Sequence, residues 1–181
     1  TGNQRHNISS DVATQQRDIM TRIFISYRRV DSRFHSGRIC DRLIDWFGSD
    51  NVFLDVDRIP PGVDFRAYLQ NEISKADIVL IIIGPEWAQI LRERSGNPED
   101  FVRIELESAL QQNKHIIPVL VNGAQMPTRD DLPVRLAGVL PYRNAVMVRD
   151  DPDFHRDMDG LVNRLNHWRP ARTEVSTDKS R

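Results

Sequence analysis

Short runs of β-branched and aliphatic residues alternate along this chain with stretches whose apolar positions recur at helical spacing. Ile23-Phe24-Ile25 predicts a first strand, and Phe34 to Phe47 a helix, with Ile39, Leu43, Trp46 and Phe47 as its apolar positions. Val52-Phe53-Leu54 predicts a second strand. The turn Pro60-Pro61-Gly62 then leads into a helix carrying Phe65, Leu69, Ile73 and Ala76. The run Ile78-Val79-Leu80-Ile81-Ile82-Ile83 has no polar alternation, which marks a central strand covered on both faces. A helix from about Phe101 to Gln112, a strand Ile116–Val121, a long loop rich in Pro and Asp, a brief strand Val146–Val148 and a helix Phe154–Trp168 complete the pattern. Parallel neighbours need crossover connections, and those pack on both faces of the sheet. The expected fold is therefore α/β, a flavodoxin-like doubly wound five-stranded parallel sheet with helices on both faces. Ligands of such sheets bind outside the carboxyl ends of the strands, which directs attention to residues 26–31, 55–62, 84–100 and 122–145.

Composition narrows the picture. The chain has 181 residues with 25 Lys+Arg against 26 Asp+Glu, a net charge of −1, and 39% hydrophobic residues, which suits one globular domain. Residues 1–20 and 169–181 are polar and unpatterned, an N-terminal extension and a C-terminal tail or linker around a domain at 21–168. Near-neutral, interspersed charge lacks the basic field that phosphate-backbone binding requires, so no nucleic-acid partner is expected. The longest apolar run, 78–83, is far short of the about 20 residues that span a membrane. No basic and apolar leader is visible, which points to a cytoplasmic location. Cys40 is the single cysteine, so neither an internal disulfide nor a cysteine metal cluster is available; helical spacing places it on an inner face as a buried thiol.

Several chemistries find no support. The nine glycines are never closer than 11 residues apart, so neither GxGxxG, a P-loop nor GxSxG can be written through them. The five histidines show no zinc-type pairing, and no metal is expected. A phospho-acceptor receiver would want an Asp at the end of the third strand, where this chain has Gly84. Asp55 and Asp57 follow the second strand two residues apart. Such a pair either holds Mg²⁺ or caps the turn and the following helix.

Two features remain. Arg28 and Arg29 follow the first strand at the ligand edge, where guanidinium groups suit phosphate oxygens. Adjacent residues of an extended segment point apart, so one is a binder and the other a salt-bridge partner. In the helix beginning near Phe101, about 100° per residue places Val102, Leu106, Ala109 and Leu110 on a buried stripe, with Glu105 about 85° and Glu107 about 115° from its centre. Glu105 thus belongs at the core border near the sheet edge. Periodicity by itself makes it a solvated carboxylate favoured by the helix dipole.

The strings Ile23-Phe24-Ile25-Ser26-Tyr27-Arg28-Arg29, Val52-Phe53-Leu54-Asp55, Pro60-Pro61-Gly62, Ile83-Gly84-Pro85-Glu86-Trp87 and Asp100-Phe101-Val102-Arg103-Ile104-Glu105, in that order, resemble a bacterial TIR (Toll/interleukin-1 receptor) domain over about residues 21–168. The resemblance implies an NAD⁺ glycohydrolase that cleaves the nicotinamide–ribose bond, yielding nicotinamide and linear or cyclic ADP-ribose, within a prokaryotic defence or signalling protein. It implies that Glu105, in an aromatic-x-x-x-Glu segment with Phe101, is catalytic, with NAD⁺ as substrate and no cofactor. By the same resemblance Ser26, Arg28, Arg29, Asp55, Asp57, Trp87 and Phe101 contact substrate, Trp87 by stacking on a base unless it anchors its helix. Self-association with other TIR domains is implied through the loop containing Ile59, Pro60, Pro61 and Gly62. Two alternatives stand beside this reading: a non-catalytic TIR interaction scaffold, and a nucleoside deoxyribosyltransferase-like enzyme.

Overall fold

A computed structural model describes residues 21–54 and 62–168. Five strands form one parallel sheet: β1 (Ile23–Ser26), β2 (Val52–Leu54), β3 (Ile78–Ile83), β4 (His115–Val121) and β5 (Val146–Val148). Their order is β2-β1-β3-β4-β5, the flavodoxin-like doubly wound arrangement expected from the alternating pattern. The helices are α1 (Arg29–Phe47), α2 (Phe65–Lys75), α3 (Trp87–Glu93), α4 (Phe101–Gln111), α5 (Val134–Ala137) and α6 (Phe154–His167).

Successive side chains of a strand point to opposite faces, and the sheet sorts its residues into two cores accordingly. Ile23, Ile25, Leu80 and Ile82 pack under Leu43 and Phe47 of α1 and Met158, Leu161 and Leu165 of α6. Phe24, Val79, Ile81 and Ile83 pack under Leu69 and Ile73 of α2, Trp87 of α3 and Val102 and Leu106 of α4. Every residue of β3 is buried, because it lies centrally with helices on both sides. Cys40 is buried and unbridged on the inner face of α1.

Local chemistry sets several boundaries. Asp64 caps α2, its Oδ1 accepting from the amides of Arg66 at 2.9 Å and Ala67 at 3.3 Å. Pro118 brings no N–H to β4, and the ladder to β5 begins one residue beyond it, at Val119. The structure departs from the sequence pattern at two places. α1 starts at Arg29 rather than Phe34, passing through a kink at Ser32 with φ −139°. Phe34 is 85% exposed and seeds no core. α3, unpredicted between residues 84 and 100, forms because Trp87 and Leu91 reach the core from one helical face. Among the described residues no helix is long and apolar enough to cross a membrane.

Candidate active site

The connection leaving β1 crosses to β2 on one side, and the chain returns to β3 on the other. β1 therefore ends at the topological switch point, where the loops diverge and leave a crevice. Its last residue, Ser26, stands level with Ile81 of β3 and donates its hydroxyl to Glu105 Oε2 at 2.5 Å. Both residues are 0% exposed. A serine on a strand and a glutamate 79 positions later on a helix thus form a buried polar contact between β1 and α4.

Glu105 lies deeper than its helical-wheel angle implies. That angle places it on the border of a stripe facing the sheet. Yet α4 is covered along its flanks by α2 and α5 as well, so Glu105 and Ser108 are buried together with the stripe itself. Burial of a carboxylate is costly unless it is hydrogen-bonded, and the Ser26 hydroxyl supplies such a bond.

A second pair holds the start of α4. Arg28 Nη1 and Nη2 donate to Asp100 Oδ1 and Oδ2, each at 2.9 Å, in a bidentate ion pair whose residues are only 4% and 1% exposed. An Asp just before a helix ordinarily accepts from the first amides. Here the Asp100 side chain makes no such cap, because its carboxylate faces Arg28. The end of β1 is thereby tied to α4 twice, by Arg28–Asp100 and by Ser26–Glu105. A third tie joins α1 to the β3–α3 loop: Asp31 accepts from the amides of Gly84 and Glu86, each at 2.9 Å. A Cβ at position 84 would fall 2.4 Å from Asp31 Oδ2, which explains the glycine at the end of β3.

The two arginines part as expected, but by a helix start rather than by strand alternation, since Arg28 is the extended N-cap residue and Arg29 the first residue of α1. Arg28 turns inward as the salt-bridge partner, and its engagement and burial remove it from phosphate binding. Arg29 turns outward and is exposed. It borders a cleft of about 270 Å³ shared with Arg94, Phe101 and Val102. Arg94, the C-cap of α3, is a second cation at this cleft that sequence spacing did not bring out, since α3 itself was unforeseen. Phe101 is half-buried, with its ring 4.0 Å from that of Phe65 at 56°. Glu105 sits one helical turn beyond Phe101 and does not line the cleft.

Of the two readings of Trp87, the structure agrees with the helix anchor: it is 0% exposed within the core under α3 and presents no face to a base. Ser26 is likewise closed to solvent, and its hydroxyl positions Glu105. Asp55, Asp57, Ile59, Pro60 and Pro61 lie outside the described residues. Gly62 follows them with φ +81°, a left-handed backbone that favours glycine, and Val63 beside it is 45% exposed. Among the described residues no three His, Cys, Asp or Glu side chains gather as a metal ion would require.

With this geometry in view, comparison with known proteins is informative. The family model described as "TIR domain" matches residues 23–162. NAD(+) hydrolase tir-1 of Caenorhabditis elegans is 27% identical over 156 residues, covering 84% of this chain but only 16% of that relative's length. The fold is similar to a prokaryotic SEFIR domain, with a TM-score of 0.50 at 20% identity over 83% of this chain and 94% of the other. The TIR domains of the activated Roq1 resistosome align with a TM-score of 0.49 at 14% identity, over 88% of this chain and 92% of that one. A family match extending from β1 into α6 takes in the whole sheet and both ties to α4, and this chain belongs to the TIR domain family.

Proposed function

We propose that this TIR domain is an NAD⁺ glycohydrolase in which Glu105 is the catalytic carboxylate. The observation carrying this reading is the Ser26–Glu105 pair: a buried carboxylate fixed at the switch point of the sheet, one helical turn from a cleft bordered by Arg29 and Arg94. The relative named an NAD(+) hydrolase adds support, and the implied reaction suits these groups.

Cleavage breaks the bond between ribose C1′ and the pyridinium nitrogen. The bonding electron pair leaves with the nitrogen, so nicotinamide departs neutral and needs neither a general acid nor a metal. The ribose is left with oxocarbenium character, and a fixed carboxylate beside it stabilises the developing charge without reorganising. Water adds to C1′ and loses one proton, giving ADP-ribose, nicotinamide and H⁺ from NAD⁺ and H₂O. Arg29 and Arg94, which border the cleft, are the cations that would face the pyrophosphate. Ser26 orients Glu105, while the Arg28–Asp100 pair keeps α4 against the end of β1.

Glu105 is closed to solvent in the single chain, so substrate meets it only after the groups over it move. This agrees with activation by assembly, in which the loop around Ile59, Pro60, Pro61 and Gly62 docks on a neighbouring TIR domain. The same burial favours a second reading, an interaction domain without catalysis. Incubating the chain with NAD⁺ over a range of protein concentrations, and resolving nicotinamide and ADP-ribose by chromatography, separates the two. Nicotinamide release that disappears in folded Glu105→Gln is the expected result; no release at any concentration leaves the interaction domain.

A further inference from the structure

Arginines over much of this surface are matched to carboxylates: Arg38 to Asp151, Arg42 to Asp159, Arg92 to Asp131, Arg149 to Asp157 and Arg156 to Asp153. A groove at the other edge of the sheet is built differently. β4 pairs with β5 only over Val119–Val121, so the β5 side of His115–Ile117 is open. The space beside it measures about 580 Å³, within the about 300–1,000 Å³ of small-molecule sites. Among the described residues it is lined by His115, Tyr142, Arg143, Arg164, His167 and Trp168 with others, none of them acidic.

Arg143 and Arg164 enter no ion pair among the described residues, and both are exposed. Burial, and secondly the charge of Arg143, hold His115 below the ordinary histidine range. Its ring stacks on Trp168 with centroids 5.1 Å apart at 22°. The groove thus joins two planar, uncommitted guanidiniums to an aromatic wall. Uncompensated like charges repel, and a bound anion removes that repulsion. Guanidinium forks match phosphate oxygens, while the phenol ring of Tyr142, 67% exposed, offers a face for a planar base.

We propose that this groove binds a small phosphate ester bearing a planar ring, of the nucleoside monophosphate class, at a site separate from the cleft bordered by Arg29 and Arg94. His115 stands level with Ile78 and Ile23, at the amino-terminal edge of the sheet, whereas Ser26 ends β1 three residues further along. The inference is independent of NAD⁺ cleavage, and so is its test.

Isothermal titration of the full chain with AMP, adenosine and inorganic phosphate separates ring from phosphate. AMP should bind roughly tenfold or more tightly than either part, as expected when two sets of contacts add. The double variant Arg143→Ser/Arg164→Ser should weaken AMP by roughly tenfold or more, while Arg156→Ser, an exposed arginine outside the groove, leaves it unchanged. Both arginines are exposed, and circular dichroism checks that the double variant folds. The Trp168 indole resonance should move on AMP addition in the parent chain. Phosphate binding as tightly as AMP, AMP binding that the double variant keeps undiminished, or no heat at about 5 mM AMP would each overturn the site.

Discussion

At the scale of single residues, the proposed chemistry rests on a carboxylate whose burial changes how it must be tested. Glu105→Ala would leave a cavity and an unmatched Ser26 hydroxyl, at a cost of about 1–3 kcal/mol, and would confuse folding with catalysis. Glu105→Gln keeps the volume and an acceptor oxygen for Ser26 while removing the charge. It should abolish nicotinamide release and leave the circular dichroism spectrum unchanged. Glu107→Gln, two positions along the same helix and half-buried, should retain most activity. For the outward cation, losing one charge-assisted contact costs about 1.5–3 kcal/mol, so Arg29→Ala should lower kcat/KM by roughly 10- to 150-fold with little change in melting temperature. Wild-type kinetics in this variant would move the pyrophosphate to Arg94 or elsewhere.

At the scale of elements, α4 is aligned against β1 by a buried ion pair, and such pairs are strongly asymmetric when broken. Asp100→Ala strands the Arg28 guanidinium at 4% exposure, and should lower unfolding stability by about 3–5 kcal/mol in urea titration. Arg28→Ala should cost a similar amount, and the double Ala variant less than the sum, because each single change leaves the other charge unmatched. Additive losses would mean that the two residues act separately. α6 carries a different kind of tie. Arg149 donates from its amide, Nε and Nη2 to Asp157, and these bonds hold that carboxyl at about 2 against an ordinary value of 3.8. A depressed folded value means that the contribution is complete above about pH 4, where both states are ionised. It is lost as pH falls from about 4 to about 2, where the unfolded chain takes up the proton first. The stability difference between wild type and Asp157→Asn should therefore shrink over that window, as measured by urea melts.

At the scale of the whole molecule, a fully buried Glu105 ties activity to rearrangement, and the assembly reading gives that rearrangement a cause. Specific activity should rise with protein concentration or crowding, and Ile59→Asp should remove the rise while the domain stays folded. A loop that docks on a different surface of its neighbour makes a heterologous contact that need not close, so light scattering should show masses growing beyond a dimer in the active range. Constant activity per molecule over a hundredfold dilution, with a monomeric mass throughout, would retire the assembly model.

Hydrophobic period determined most of the architecture from the sequence by itself. All five strands, both layers and the long helices α2, α4 and α6 follow from alternation and 3.6-residue spacing, since burial of apolar side chains is decided by position along one element. Resemblance pointed to the family and to Glu105, whereas the split of Arg28 from Arg29, expected from alternation, arises because α1 begins at Arg29. Other features depended on partners distant in sequence. α3 is too short to show a period, and it forms because Trp87 and Leu91 find the core. The depth of Glu105 depends on helices covering the flanks of α4, which its own wheel does not contain. Asp100 reads locally as a helix cap, and only the approach of Arg28 from 72 positions away makes it half of a buried ion pair. Trp87 likewise shows no burial in its spacing. Local periodicity records which face turns inward, whereas tertiary packing decides how far a border residue sinks and which charge it meets there.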